Sequence, residues 1–294
     1  MITEPFGYHA PKSLSEAVRL VAQFGADGKV LAGGHSLIPL MKLRLASPKH
    51  LVDIGGISDL SYIREDGDEI QIGATTTHFR IESSDLLKTK CPLLPETAGE
   101  IGDAQVRNKG TMGGSLAHSD PAGDWPAAIL ALDAEIQAVS ARGERWIPAR
   151  EFFVDLLATA LKGDEILTAI RLPALPSRAG DAYLKLHHPA SGFAVVGAAA
   201  RLVLGENGSI ERAALGITGI GPKAYRAAAV ESALAGKSPT TKRLEEASAH
   251  AADGVEANSD LYASAEYRSH LARIYTRRAI EKALERAQER TDGR

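Results

Sequence analysis

The chain has 294 residues, which suggests two domains of about 150 residues each, although one large domain is possible. Lys and Arg number 34 and Asp and Glu 37, so the net charge is −3, which argues against nucleic acid as a bulk partner. The single cysteine, Cys91, excludes an intrachain disulfide and any iron–sulfur cluster held by four thiolates of this chain alone. No apolar stretch approaches the ~18 residues of a membrane span, and no secretory leader is recognisable.

The first part of the chain alternates helix and strand signals. Ser13 and Glu16 fit a capping box, and apolar residues follow at helical spacing as far as Phe24. Short apolar or alternating runs predict three strands, at residues 29–32, 50–54 and 69–74. This alternation is typical of an α/β or α+β domain.

The middle of the chain contains one stretch without a clear period, residues 103–115. We expect a long loop there, and such loops inside compact domains are usually functional. Around it, the sequence predicts helices at residues 92–101, 125–132 and 152–161. It also predicts strands at residues 135–139, 145–147 and 165–172, the first two forming a hairpin.

Residues 172–180 contain two prolines and a glycine and are the best linker candidate. We therefore expect an N-terminal domain of residues 1–177, in lobes of about 1–56 and 57–177, and a C-terminal domain of residues 178–294. The second domain is expected to hold a three-stranded antiparallel sheet followed by helices, at about 224–235, 240–252 and 260–288. The fold class predicted for the whole chain is α+β.

Two glycine pairs, each close to hydroxyl residues, are the strongest site signal. They are Gly33-Gly34 with Ser36, and Gly113-Gly114 with Thr111 and Ser115. Paired glycines allow positive φ and close approach of a ligand, and successive N–H groups in such turns suit an anion. Either pair alone is more often a simple tight turn, but together they predict a two-sided cradle for a dinucleotide diphosphate.

Other patterns carry less information. Gly219-Ile220-Gly221 follows a strand, but Pro222 lacks the backbone N–H that a phosphate needs, so a strand-to-helix turn is preferred. His118-Ser119-Asp120 has the letters of a hydrolase triad, yet triads assemble from distant segments. The pair His187-His188 lacks further ligand-type neighbours, so no metal site is predicted. No catalytic residue is assigned for a primary substrate.

Two separated motifs carry a family resemblance: AGGHSLIPLMK at residues 32–42 and GTMGGSLAHSDPAGD at residues 110–124. With them the chain resembles the FAD-binding medium subunits of the molybdenum hydroxylase (xanthine dehydrogenase) family, and most of all those of aerobic carbon monoxide dehydrogenases. The resemblance covers essentially the whole chain, from residues 8–13 to residues 265–268. It implies a two-lobed FAD-binding domain of the PCMH type, followed by a C-terminal flavoprotein domain.

The resemblance also implies which residues bind FAD. In the two glycine motifs these are Ala32, Gly33, Gly34, His35, Ser36, Thr111, Gly113, Gly114 and Ser115. Asp124 matches an acidic cofactor contact, Lys185 a lysine near the flavin, and Ile101, Ile166 and Leu167 positions that line the adenine and ring region. Gln105 and Arg107 also match the pattern, with Arg107 expected to anchor its loop.

Two positions depart from the family pattern. Ser115 stands where asparagine is usual, which replaces an amide hydrogen bond with a hydroxyl one. Phe193 stands where a tyrosine commonly covers one flavin face, and phenylalanine can stack on the ring but cannot donate a hydroxyl hydrogen bond.

The function implied is that of an FAD-carrying electron-transfer subunit. A large subunit with a molybdenum–pterin centre would oxidise the substrate, and a small subunit with two [2Fe-2S] clusters would pass electrons to FAD and on to an external acceptor such as a quinone. A cytoplasmic dimer of heterotrimers is expected, with a peripheral position on the inner face of the membrane left open. Carbon monoxide, aldehydes, purines and heterocycles all stay open as substrates. The alternatives are a self-contained FAD-dependent dehydrogenase or oxidase, with His118 or His187 as a weakly supported base, and an interaction domain without cofactor.

Overall fold

A computed structural model describes residues 2–291. The chain begins with a three-stranded parallel sheet in the order β1-β3-β2. Its elements are β1 (Gly7–His9), α1 (Leu14–Phe24), β2 (Gly28–Leu31), α2 (Leu37–Lys42) and β3 (His50–Asp53). The N-cap of α1 is confirmed, since Glu16 N–H donates to Ser13 Oγ. The Glu16 side chain also reaches back, but its Oε2 accepts the N–H of Lys12 and not that of Ser13, so the capping box is incomplete. The strand β2 runs directly into the first glycine pair, as the sequence predicts.

A five-stranded antiparallel sheet follows, in the order β4-β5-β10-β6-β7. Its strands are β4 (Ile63–Asp66), β5 (Glu69–Gly73), β6 (Glu135–Ser140), β7 (Gly143–Pro148) and β10 (Ile166–Pro173). Between β5 and β6 lie six helices, α3 (His78–Glu82), α4 (Asp85–Lys90), α5 (Leu93–Gly99), α6 (Ala104–Lys109), α7 (Met112–His118) and α8 (Asp124–Ala131). The apolar core of this part includes Trp125, Ile136 and Ile170, all fully buried.

Two local predictions in this part are wrong. The expected loop at 103–115 consists mainly of α6 and α7, because Asp103 and Thr111 accept N–H groups of the following turns and so begin two short helices. The expected helix at 152–161 is instead the end of α9 (Ala149–Phe152) and a small hairpin, β8 (Phe153–Asp155) and β9 (Ala158–Thr159). The adjacent β-branched and aromatic residues favour a strand over a helix.

The C-terminal part holds the predicted antiparallel sheet, extended by a short fourth strand. The order is β11-β12-β13-β14, and the elements are β11 (Ala179–His187), β12 (Ala194–Leu204), β13 (Ile210–Thr218), β14 (Tyr225–Arg226), α10 (Ala228–Leu234), α11 (Thr241–Ser248) and α12 (Ala265–Thr291). The long helix α12 packs so closely on β11 that a Cβ at Gly180 would lie 2.1 Å from the carbonyl oxygen of Ala283. Glycine is therefore required there.

The antiparallel C-terminal sheet packs on α8, so the N-terminal and C-terminal parts share a buried boundary. Thr218 Oγ1 lies 2.8 Å from the carbonyl oxygens of both Pro121 and Gly123, which share its single O–H donor. At the other end, the buried Arg201 guanidinium contacts Asp181 Oδ2 at 2.9 Å and Cys91 Sγ at 3.3 Å. Within residues 2–291 no helix is long and apolar enough to cross a membrane.

Candidate functional site

The first glycine motif forms an open turn between β2 and α2. Gly34 has φ +76°, a conformation that favours glycine. In residues 2–291, no acceptor takes the amide N–H groups of the turn and the first helical residue: Gly33, Gly34, His35, Ser36 and Leu37. The hydroxyl of Ser36 also has no partner in the described chain, and the turn is at least partly exposed throughout. Five consecutive free N–H groups at a helix start form the kind of concavity that binds an anion.

The second glycine motif forms the first turn of α7, and its N–H groups are already used. Met112 N–H donates to Thr76 O, Gly113 N–H to Ala74 O, and Gly114 N–H to Thr111 Oγ1. The expectation that both glycine pairs offer free N–H groups therefore holds only for the first motif. What α7 presents toward solvent is the exposed backbone of Gly114 and the Ser115 side chain, whose hydroxyl has no partner in the described residues.

The two motifs touch each other. A Cβ at Gly33 would lie 2.3 Å from the carbonyl oxygen of Lys109 and 2.8 Å from Gly110 Cα, so the first turn rests directly on the start of the second motif. A Cβ at Gly114 would lie 4.0 Å from Ala32 Cβ. The structure thus places the first turn beside the exposed side of the second motif, and we call the space between the starts of α2 and α7 the cleft. Gly113 is buried against Ala74 and does not reach this space.

His78 packs against Gly110, the first residue of the second motif. Its backbone N–H donates to the carbonyl oxygen of Gly110, and its ring lies so close that a Cβ at Gly110 would be 2.6 Å from Nε2. Trp125 Nε1–H donates to His78 Nδ1 at 3.0 Å. Burial lowers the pKa of His78 to about 4, with further lowering from the neighbouring His35 and Arg107 side chains, so the ring is neutral at pH 7. Since Nδ1 accepts from Trp125, the neutral ring carries its proton on Nε2.

Asp124 and Lys185 form a buried pair. Lys185 Nζ donates to both carboxylate oxygens of Asp124, at 2.9 and 3.0 Å, and Tyr183 Oη donates to Oδ1 at 2.5 Å. The Lys185 side chain is 0% exposed. Burial raises the pKa of Asp124, although Lys185 and Tyr183 oppose this shift, and burial together with Asp124 raises that of Tyr183 well above its usual value. Both predicted residues are thus fully engaged inside the protein rather than facing the cleft.

The remaining predicted residues are spread around the cleft. Ile101 is partly buried beside the core, at the turn that precedes α6. Arg107 anchors this turn, as expected, through Nη1 to the carbonyl oxygens of Ile101 and Gly102, and pairs with Glu82 at 2.8 Å.

Ile166 and Leu167 are consecutive buried residues of β10 that join different core clusters, so the structure does not bring both to the cleft. Phe193 is 45% exposed and borders a cavity of about 240 Å³ with His188 and Arg268. The ring of Phe193 is free to meet a ligand.

The sequence carries no signal for three residues near the site: His78, Tyr183 and Glu100. The carbonyl oxygen of Glu100 accepts from Lys185 Nζ at 2.8 Å. His78 and Trp125 are 47 residues apart, and nothing local in the sequence signals their hydrogen bond. Tyr183 lies in a strand pattern that marks it only as core. No group of three or more His, Cys, Asp or Glu side chains in residues 2–291 is placed to hold a metal ion.

Comparisons with known proteins show the family of the chain. Residues 4–175 match the family described as the FAD binding domain in molybdopterin dehydrogenase, and residues 181–283 match the CO dehydrogenase flavoprotein C-terminal domain. The chain is 41% identical to the carbon monoxide dehydrogenase medium chain of Hydrogenophaga pseudoflava, over 97% of this chain and 99% of the relative. It is 33% identical to the caffeine dehydrogenase subunit beta of Pseudomonas sp. strain CBB1, over 96% and 95% of the two chains.

Solved structures match as well. Carbon monoxide dehydrogenase from Hydrogenophaga pseudoflava, in a form that lacks the Mo-pyranopterin moiety, superposes with a TM-score of 0.95 at 41% identity, over 97% of this chain and 99% of the other. Quinoline 2-oxidoreductase from Pseudomonas putida 86 superposes with a TM-score of 0.91 at 31% identity, over 98% and 99%.

Proposed function

The chain belongs to the family of FAD-binding domains of molybdopterin dehydrogenases and is an oxidoreductase subunit with FAD as its cofactor, and we propose that it passes electrons from partner iron–sulfur clusters to an external acceptor. The partners are a large molybdenum-binding subunit and a small iron–sulfur subunit, arranged as a dimer of heterotrimers, in a complex similar to carbon monoxide dehydrogenase. The acceptor is a quinone or a similar molecule.

The run of free N–H groups from Gly33 to Leu37 is the observation that carries the proposal. These groups fit the acceptor oxygens of a diphosphate without any side-chain cation, because backbone N–H groups at a helix start favour negative charge. The unpartnered hydroxyls of Ser36 and Ser115 add two donors on opposite sides of the cleft. The residues present therefore fit FAD.

We assign the other contacts with FAD to further residues of this chain. Ala32, His35 and Thr111 complete the walls around the diphosphate, and Phe193 covers one flavin face. Ile101 and one side of the Ile166-Leu167 segment of β10 support the adenine and ring region. The Asp124–Lys185 pair fixes the backbone beside the ring. FAD itself supplies the change between one-electron and two-electron transfer.

Partner clusters are needed because this chain offers no ligand set for one. Its single cysteine, Cys91, is fully buried, and burial raises the pKa of its thiol to about 12. A group that stays protonated at pH 7 is a poor metal ligand. In the proposed complex, the iron–sulfur clusters that reduce FAD are therefore held by another chain. We also propose the domain division of residues 1–177, in lobes of about 1–56 and 57–177, and 178–294, and a place in the cytoplasm, at most peripheral to the membrane.

The test combines reconstitution with native mass measurement. The full chain, stripped of flavin and gently reconstituted, is expected to bind one FAD, and the complex purified from its host is expected to contain molybdenum, iron and FAD in a three-subunit assembly. Failure to bind FAD would overturn the proposal. A solitary flavoprotein that turns over a reductant by itself would instead establish the self-contained dehydrogenase.

A further inference from the structure

The turn Glu100–Gly102, between α5 and α6, is held from two sides. From the C-terminal sheet, Lys185 Nζ donates to the carbonyl oxygen of Glu100 at 2.8 Å, and His187 Nε2 lies 2.6 Å from Glu100 Oε2. From α6, Arg107 donates to the next two carbonyl oxygens. One residue, Glu100, therefore receives two contacts from β11, one at its backbone and one at its side chain.

The strand β11 is a rigid support for these contacts. Lys185 is fixed by the Asp124 carboxylate, which Tyr183 also holds. Removing one partner of such a buried pair leaves an unpaired buried charge, so the pair resists displacement. The position of Glu100 is thus set by residues that match the C-terminal domain of the family.

The same turn leads directly to the cradle. It precedes α6, and Gly110 directly follows the last residue of α6. Gly33 rests on Gly110, and the His78 ring packs against it. Because each contact is close, a shift of Glu100–Gly102 moves α6 and with it the surface that faces the first glycine turn. Packed elements transmit such displacements because they hardly compress.

We propose that Glu100 is a positioning residue through which the C-terminal domain sets the geometry of the FAD cradle. Lys185 and His187 then influence FAD affinity through Glu100 and not by touching the diphosphate. The inference rests on the proposed FAD site and adds that the site is completed by contacts across the two domains. FAD binding and domain contact are consequently linked, and each strengthens the other.

The His187–Glu100 contact is the part that can be changed without harm to folding, since both side chains are more than a third exposed. His187→Ala and Glu100→Ala are expected to weaken FAD binding by the full chain about 2–5-fold, the range typical of an exposed charge-assisted pair. The double variant is expected to be no weaker than either single one, because all three lack the same contact. Glu100→Gln keeps an acceptor for His187 and is expected to restore most of the affinity.

The control is the pair His250–Asp253, which has the same 2.6 Å separation and similar exposure but lies away from the turn. His250→Ala is expected to leave the FAD dissociation constant unchanged. Fluorescence titration of the flavin-free chain gives the constant, and the thermal midpoint without FAD reports folding. If His187→Ala and Glu100→Ala lower only the midpoint, or if their effects on affinity add, the inference is wrong. If the unaltered chain binds no FAD, the proposed function fails instead.

Discussion

The two glycine motifs have almost the same letters but different physical roles. In the first, five consecutive N–H groups from Gly33 to Leu37 have no acceptor in the described chain. In the second, the N–H groups that begin α7 are bound to Thr76, Ala74 and Thr111. The first motif is therefore an anion-binding surface. The second motif mainly has a structural role: its hydrogen bonds fix the position of α7 on the other side of the cleft.

The second motif itself divides into a buried and an exposed glycine. A Cβ at Gly113 would lie 2.6 Å from Ala74 Cβ, so this glycine is required by packing. Gly114 is exposed, and a Cβ there would approach only Thr111 Oγ1, at 2.7 Å, and Ala32 Cβ, at 4.0 Å. A side chain at Gly113 should therefore lower the free energy of unfolding, whereas a side chain at Gly114 should mainly weaken FAD binding.

The largest effect is expected from Gly114→Val. Its side chain would fill the cleft between the two motifs, so FAD affinity should fall at least 1000-fold, or about 4 kcal/mol. The free energy of unfolding without FAD should fall by no more than about 1 kcal/mol, the cost of losing the Thr111 cap. Flavin content after reconstitution and chemical denaturation measure the two quantities.

Gly113→Ala provides the contrast, since overpacking against Ala74 should cost about 1–3 kcal/mol of unfolding free energy even without FAD. Gly163→Ala, at a position where a Cβ meets nothing within 4 Å, is the neutral control. Stoichiometric flavin in Gly114→Val would show that this glycine does not face the cofactor.

The second-largest effect is expected at acid pH, from protonation of His78, whose ring packs against Gly110. The pKa of His78 is about 4 in the folded protein, against about 6.5 when unfolded, so the unfolded chain binds the extra proton between these values. The contribution of His78 to the free energy of unfolding is therefore complete above about pH 6.5 and is lost as the pH falls toward 4. The loss should reach about 3 kcal/mol, at ~1.4 kcal/mol per pH unit.

The comparison variant is His78→Gln, which keeps an acceptor for Trp125 but does not titrate. Urea denaturation of both proteins at pH 7 and pH 4.5 isolates the histidine, because all other groups are shared. Equal losses of stability in the two proteins would mean that His78 is not held neutral.

The sequence predicted most of the strands because their signals are local, whereas the short strands β1, β4, β8, β9 and β14 were not predicted. The N-cap at Ser13, the β2 strand before Gly33 and the hairpin of β6 and β7 each depend on neighbours a few residues away. The helices α6 and α7 were missed because each is only six or seven residues long, and their caps, Asp103 and Thr111, interrupt any apolar period.

The contacts that organise the site could not be predicted in this way. The Trp125–His78 bond spans 47 residues and the Lys185–Asp124 bond 61, so only the folded chain brings these groups together. The family resemblance suggested that Asp124 contacts the cofactor and that Lys185 lies near the flavin. Their full engagement with each other and with Tyr183 depends on burial, which a single sequence does not reveal.

The smallest effect is expected from the two free hydroxyls, which also compares the motifs most directly. Ser36→Ala removes a donor from the first motif and Ser115→Ala one from the second, and neither hydroxyl has a partner in residues 2–291. Each change should weaken FAD binding by about 0.5–1.5 kcal/mol, the net value of one hydrogen bond, and leave the unfolding free energy without FAD unchanged. Ser232→Ala, which removes a hydroxyl bonded to its own helix, controls for the substitution itself. If Ser115→Ala has no effect while Ser36→Ala does, the second motif has only a structural role, and the diphosphate is held by the first turn alone.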